Sequence, residues 1–276
     1  FKDIFSEEDK RFREAEELYK LMMGELEGPD YFDRRNSRFN FELHQTQSKW
    51  KKSVVKFLHK NKIIHFNRKL AGNLAKKYQQ NIITDPGFYD ELSFNDKYLY
   101  YTLHAQPEYS LDVQGNLWTN QIHTIELLSK SVPCDWLIYV KEHPGTIVAR
   151  MRPPYFFDAI RKYPNVRLVN IFENMHKLII NAQMVAVVVG TAGWEAVQRG
   201  IPTISFASNT WDVLGLSRKC TDIEHLSKDI VDEISRIKNI SLLEKRKRLI
   251  CYLAAILHHS MPFTYPNQHV FTDTGT

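Results

Sequence analysis

The sequence MVAVVVGTAGWEAVQRGIPTISFA, residues 184–207, decides the fold of this chain. β-branched and small apolar residues fill Val185–Val189, as in a strand that is buried on both faces of a sheet. Gly190–Gly193 then predicts a turn, Trp194–Arg199 a helix, and Thr203–Phe206 a second strand. Such a unit joins two parallel strands. The backbone N–H groups that begin its helix have no intrahelical partner and bind phosphate well.

The same alternation continues on both sides of this unit. Further strands are predicted at Tyr98–Leu103, Trp136–Val140 and Val166–Asn170. Further helices are predicted at Leu117–Ser129, Tyr155–Arg161, Met175–Asn181, Ile223–Ile237 and Leu242–His258. We therefore predict an α/β fold, a Rossmann-like parallel sheet of about five strands with helices on both faces. The strand ends at Leu103, Val140 and Val189 should open on one edge, where ligands of such sheets bind.

The amino-terminal third of the chain has a different pattern of apolar residues. The pattern of residues 1–95 predicts a mostly helical, basic segment without a series of apolar strands. Residues 96–276 are predicted to form the Rossmann-like domain. The turn Asp85-Pro86-Gly87 suits the boundary between them. The chain has 276 residues, 43% of them hydrophobic, which is enough for a full core. No apolar run is long enough to span a membrane, and the three cysteines lack the spacing of a disulfide framework or zinc site, which favours a cytoplasmic protein.

Several common catalytic motifs are absent from the sequence. No GxGxxG follows the first strand, which counts against NAD or FAD, and no GxxxxGK[ST] of a P-loop occurs. No HExxH, EF-hand, CxxC or GxSxG pattern occurs either. We expect neither a metal nor a cofactor, and the net charge of +5 is too mild to indicate a nucleic-acid partner.

Polar residues follow three of the predicted strands. They are His104–Glu108, Lys141–Pro144 and Gly190–Gly193, the last followed by Glu195. An imidazole, a hydroxyl and a helix start at one edge would suit a phosphate diester or diphosphate, and the carboxylate would suit a ribose diol. Each residue also has a structural interpretation. The histidine could cap or pack, the glycines could let the helix approach the sheet, and the acid could offset the helix dipole.

The segments LHAQPE, NQIHTIELLSKSVPCDWLIYVKEHP and NAQMVAVVVGTAGWEAVQRGIPTISF together resemble the capsule polysaccharide biosynthesis family. Members of that family include Kdo transferases and are similar in architecture to GT-B sialyltransferases. The resemblance covers roughly residues 97–240, the nucleotide-binding half of a GT-B enzyme. It implies that His143 and Pro144 contact the nucleotide phosphate and that the turn of Gly190, Thr191, Ala192 and Gly193 holds it. It also implies that Glu195 holds the ribose.

The resemblance implies a metal-independent glycosyltransferase of capsule or surface-polysaccharide biosynthesis. Its partners would be a nucleotide-sugar donor and a glycan or glycolipid acceptor. We favour a CMP-linked donor (Kdo or a sialic-acid-like sugar) over a UDP-linked one. Two other classes stay open, a UDP-sugar 2-epimerase-like enzyme and a non-catalytic nucleotide-binding module. GT-B enzymes have an amino-terminal Rossmann domain that residues 1–95 do not resemble, so we expect it to be missing here or reduced. With that domain unaccounted for, Glu108 is the local candidate for the general base, with His143 as the second catalytic residue.

The basic segment Lys49–Lys77 allows two interpretations. Between Glu42 and Asp85 the chain has no acidic residue, and one apolar stripe runs among the lysines. The stripe consists of Trp50, Val54, Phe57 and Leu58. A helix of this kind can lie on an anionic membrane, here the inner face of the cytoplasmic membrane. Because most amphipathic helices pack internally, we favour packing within the protein.

Overall fold

A computed structural model of the protein describes residues 10–23, 85–143, 146 and 152–260. The helices there are α1 (Lys10–Met22), α2 (Gln121–Ser131), α3 (Pro154–Ile160), α4 (Met175–Asn181), α5 (Thr191–Gln198), α6 (Leu226–Asn239) and α7 (Leu242–His259). The strands are β1 (Tyr98–Thr102), β2 (Leu137–Lys141), β3 (Val166–Val169), β4 (Met184–Val187), β5 (Thr203–Ser205) and β6 (Arg218–Lys219). Single turns of 3-10 or π helix cover Pro86–Phe88, Ser110–Gln114, Asn116–Thr119, Thr210–Leu214 and Ile223–His225.

The described strands form one sheet in the order β3-β2-β1-β4-β5-β6, and every pair in it is parallel. Tyr100 in the central strand β1 is in register with Tyr139 of β2 on one side and Val185 of β4 on the other. The predicted α/β fold with a parallel sheet is therefore confirmed. The sixth strand was not predicted, because two charged residues at the sheet edge carry no apolar signal.

Two hydrophobic clusters cover the sheet, one on each face. We call the side with Leu99 and Tyr101 the first face, and α2 packs there through Ile125 and Leu128. The second face carries Tyr98, Tyr100 and Tyr139, covered by Leu178 of α4 and by Ala192 and Ala196 of α5. The strands β1 and β4 are neighbours, but the helices that follow them lie on opposite faces. Their carboxyl ends therefore form the switch point of the sheet, where a crevice for ligands opens.

The helix after β4 begins earlier than predicted. We expected a turn at Gly190–Gly193 and a helix from Trp194, but α5 already begins at Thr191. Gly190 stands just before the helix with a φ of +130°, a conformation that favours glycine. Thr191, Ala192 and Gly193 thus form the first helical turn and present its unpaired N–H groups. The helix after β1 begins later than predicted, at Gln121, because Asn120 caps it by accepting a bond from His123 N at 3.3 Å.

The described helices and strands divide into two compact units, α1 with α7 and the described residues between 85 and 241. In the first unit the Arg246 guanidinium donates to Glu16 Oε1 at 3.1 Å and lies over the Tyr19 ring. The boundary near residue 95 stays a prediction, because residues 24–84 lie outside the described ones. The basic segment Lys49–Lys77 lies there too, so neither interpretation of it is tested. No described helix is long and apolar enough to cross a membrane.

Candidate functional site at the switch point of the sheet

The carboxyl ends of β1, β2 and β4 lie side by side, as predicted. The N–H group of Leu103, just past β1, donates to the Lys141 carbonyl of β2 at 2.8 Å. On the other side of β1, the His104 imidazole Nε2 contacts the backbone of Val189, just past β4. The three polar loops that the sequence singled out therefore meet at the carboxyl ends of the strands. They lie near the middle of the strand order, beside β1.

His104 connects the loops that follow β1 and β4. The side chain is 7% exposed, and a Cβ atom at position 190 would lie 3.2 Å from its Nε2. Together with its positive φ, this close approach explains why Gly190 has no side chain. Burial lowers the pKa of His104 to about 4, and the nearby His143 and Arg152 act in the same direction. His104 is thus a neutral positioning group at physiological pH, a role that the sequence did not reveal.

A buried ion pair fixes the loop that follows β2. The Glu142 carboxylate is 2% exposed and Arg152 is 9% exposed, and Arg152 Nε donates to Glu142 Oε2 at 2.7 Å. Burial raises the pKa of Glu142, while Arg152 and the His143 N–H group oppose that rise. The guanidinium also donates to the His104 carbonyl and to Gln106 Oε1. Arg152 therefore ties the loops after β1 and β2 to the start of α3.

Gln121, the first residue of α2, completes this network. Its side-chain amide accepts from His104 N at 2.7 Å and donates to the His104 carbonyl at 3.1 Å. The same amide donates to Gln106 Oε1 at 2.9 Å. Sequence reasoning missed both Gln121 and Arg152, since one stands at a helix start and the other precedes two prolines with no motif around it.

His143 is anchored through its main chain. Its N–H group donates to Glu142 Oε1 at 2.7 Å, and its carbonyl accepts from the N–H and hydroxyl groups of Thr146. The half-buried imidazole lies near enough to His104 to influence that residue's pKa. The backbone contacts hold His143 at the same edge as the start of α5. Its predicted neighbour in the site, Pro144, lies outside the described residues.

The start of α5 combines packing with exposed polar groups. A Cβ atom on Gly193 would lie 2.7 Å from Val187 Cγ2 and 3.2 Å from Trp211 Cζ2, so only glycine fits there. Ala192 is buried against the second face, whereas Thr191 is exposed. Packing thus accounts for the small side chains. The close approach of α5 to the sheet also leaves the N–H groups of its first turn at the carboxyl edge. Together with the helix dipole they make this edge attractive to an anion.

Glu195 lies one turn further into α5 and is 6% exposed. Its Oε2 lies 3.1 Å from Nδ1 of His176, in the first turn of α4. Burial raises the pKa of Tyr100, and the neighbouring Glu195 adds to that rise. The Glu195 carboxylate therefore lies close to the first turn of α4. No motif or apolar pattern in the sequence singles out His176.

Glu108 lies on the exposed part of the loop after β1. Its N–H group donates to Asp112 Oδ2 at 2.9 Å, and its carbonyl accepts from Asp112 N at 2.8 Å. These are main-chain contacts that shape the loop. Its role as general base stays a prediction. Among the described residues, no three His, Cys, Asp or Glu side chains cluster as a metal site.

Comparisons with known proteins give structural likenesses only. No protein-family profile and no curated protein sequence matches the chain. Among solved structures, it is similar to the KpsC beta Kdo 2,7 transferase of Thermosulfurimonas dismutans, at 13% identity and a TM-score of 0.41, over 77% of this chain and 60% of that one. It is also similar to HepE of Anabaena in complex with UDP-glucose, at 14% identity and a TM-score of 0.38, over 59% and 44% of the two chains.

A third similar structure is the spinosyn rhamnosyltransferase SpnG complexed with spinosyn aglycone. The identity is 10% and the TM-score 0.35, over 63% of this chain and 47% of that one. The chain thus spans 60% of the length of the Kdo transferase and less than half of the other two. At these identities and TM-scores the functional conclusion has to come from the residues of the site.

Proposed function

We propose that the described residues from 96 to 241 belong to the nucleotide-binding half of a GT-B glycosyltransferase of capsule or surface-polysaccharide assembly. The observation that carries this proposal is the meeting of His143, His104 and the first turn of α5 at the switch point of a parallel sheet. Such an edge holds a phosphate without a metal, because N–H groups, a hydroxyl and the helix dipole stabilise the negative charge.

In the proposed reaction the bond between the donor sugar and its nucleotide phosphate breaks, and the acceptor oxygen forms the new bond to the sugar. The leaving phosphate gains negative charge as this happens. The N–H groups of the α5 turn, the Thr191 hydroxyl and a hydrogen bond from the His143 imidazole stabilise this charge, and Pro144 would contact the same phosphate. A carboxylate, for which Glu108 is the candidate, takes the proton of the acceptor.

The proposed donor is a CMP-linked sugar of the Kdo or sialic-acid type, with a UDP-linked sugar as second choice. The proposed acceptor is a glycan or glycolipid. The reaction would take place in the cytoplasm. We favour packing of residues 49–77 within the protein; the alternative, peripheral membrane contact, would bring the enzyme to a lipid-linked acceptor. A thermal-shift series with CMP, UDP, GDP and ADP tests the donor class, because a ligand that binds only the native state raises its melting temperature. CMP or UDP should give the largest rise, and equal or absent shifts with all four would contradict the proposal.

The phosphate site predicts a difference between two substitutions. His143→Ala should weaken nucleotide binding by about 1.5–3 kcal/mol, because it removes a hydrogen bond to a charged group. Thr191→Val should cost less, since the backbone N–H groups of α5 remain. Titration calorimetry with the best nucleotide of the series measures both. Unchanged affinity in two folded variants would leave these residues with structural roles only.

The ribose contact predicts a dependence on the sugar hydroxyls. Glu195→Gln keeps the volume of the side chain and a contact to His176 but removes the charge, so ribonucleotides should bind about tenfold more weakly. A 2′,3′-dideoxynucleotide should bind the wild type and the variant equally, which is the matched control. If Glu195→Gln lowers the melting temperature but not the affinity, Glu195 serves the helix and not the ligand.

A further inference from the structure

Lys141 is a buried cation that the proposed mechanism does not use. It is the last residue of β2 and is 6% exposed. Because side chains alternate along a strand, it lies on the second face with Tyr139, the face that α4 and α5 cover. No hydrogen bond or ion pair to its ammonium group occurs within the described part of the chain. An ammonium group buried in this way is costly unless a negative group meets it.

The nearest carboxylates do not supply that group. Both oxygens of Glu142 are already engaged, one by Arg152 Nε and the other by His143 N. Glu173 lies in the loop after β3, and its Oε1 accepts from Asn174 N at 3.1 Å. Burial lowers the pKa of Lys141 to about 8, although Glu142 and Glu173 both act to raise it. The negative charge around Lys141 is therefore too small to offset the cost of burying its ammonium group.

The position of Lys141 indicates where the missing negative charge comes from. β2 and β4 flank β1, so the end of β2 and the start of α5 are two strand spacings apart, about 10 Å. Both lie at the carboxyl edge, and both α5 and Lys141 belong to the second face. A lysine side chain and a ligand with two linked anionic groups can bridge this distance.

We propose that Lys141 binds a second anionic group of the donor, while the α5 turn holds the first phosphate. This inference rests on the proposed function and assigns a residue to the second anionic group that both of its candidate donor classes carry. The second group is either the carboxylate of an acidic sugar on a nucleoside monophosphate or the second phosphate of a nucleoside diphosphate. Both sources present the same chemistry to the ammonium group.

Titration calorimetry with four ligands tests the inference and separates the two sources. The ligands are CMP, CMP-sialic acid, UMP and UDP, each titrated into wild type, Lys141→Met, Lys141→Arg and Lys177→Met. Lys177 is the matched control, because it is an exposed lysine in α4. The wild type should prefer the ligand with two anionic groups over its partner with one. Lys141→Met should reduce that preference about tenfold or more, while Lys141→Arg and Lys177→Met retain it.

Each outcome has a distinct meaning. Loss of the preference for CMP-sialic acid over CMP identifies the sugar carboxylate, and loss of the preference for UDP over UMP identifies the second phosphate. If Lys141→Met weakens the binding of one-anion and two-anion ligands equally, or does not weaken it, the inference is wrong. The proposed function is unaffected by that result. A wild type that binds none of the four overturns both. Lys141→Met should fold, since it replaces a buried charge by an apolar group of similar length, and Lys141→Gln provides a second charge-removing variant if it does not.

Discussion

Replacing Arg152 with leucine should destabilise the sheet-containing unit by about 3–5 kcal/mol. The substitution leaves the Glu142 carboxylate buried without the guanidinium that donates to it at 2.7 Å. It also removes donors from the His104 carbonyl and from Gln106 Oε1. An uncompensated buried charge is among the most destabilising changes that a single substitution makes. Equilibrium urea denaturation followed by circular dichroism measures the loss.

The double variant Arg152→Leu, Glu142→Leu is the control for this prediction. Replacing both partners of a buried pair by apolar residues is often close to neutral, because no unpaired charge remains. We therefore expect the double variant to recover much of the stability that either single variant loses. Additive losses, or a cost of less than about 1 kcal/mol for Arg152→Leu, would show that the pair does not hold the loops together.

The second large effect is an acid-induced loss of stability through His104. Its pKa falls from 6.5 in the unfolded chain to about 4 in the folded protein, with burial as the main cause. Between these pH values the unfolded state binds more protons, so stability falls as the pH falls from 6.5 towards 4. The loss from this one residue amounts to about 3 kcal/mol once both states are protonated.

A comparison of His104→Gln with the wild type isolates this contribution. Glutamine can keep a hydrogen bond to the Val189 backbone but does not titrate, so the variant should lose less stability between pH 7 and pH 4. His225→Gln is the control, because that imidazole is 64% exposed and pairs with Asp222 at the surface. If the stability of wild type and His104→Gln declines in parallel over this range, His104 is not the neutral, buried group described here.

The parts of the fold with a strong local signal were predictable from the sequence. The apolar run at Val185–Val189 and the alternation around it predicted a parallel sheet, and the polar strand ends predicted where its crevice lies. The start of α5 was misplaced because Thr191, Ala192 and Gly193 resemble a turn, although their small side chains are what lets the helix begin against Val187. A local pattern therefore predicted which strand ends meet but not the conformation of the residues there.

The supporting side chains were not predictable, because their roles come from contacts distant in sequence. Arg152 reaches back to His104, and His176 meets Glu195 across two helices. Neither residue stands in a repeating pattern, so no periodicity identifies it. Lys141 was visible as a polar residue at a strand end, but only the structure shows that it is buried without a partner.

Amide chemical shifts can show whether the switch-point edge of the sheet holds a nucleotide phosphate. Uniformly ¹⁵N-labelled protein would be titrated with the nucleotide that gives the largest thermal shift. We expect the largest shift changes on Gly190, Thr191, Ala192, Gly193 and His143. We also expect His143→Ala to reduce these changes in parallel with affinity. Shift changes centred elsewhere on the protein, or none at saturating nucleotide, would contradict this prediction.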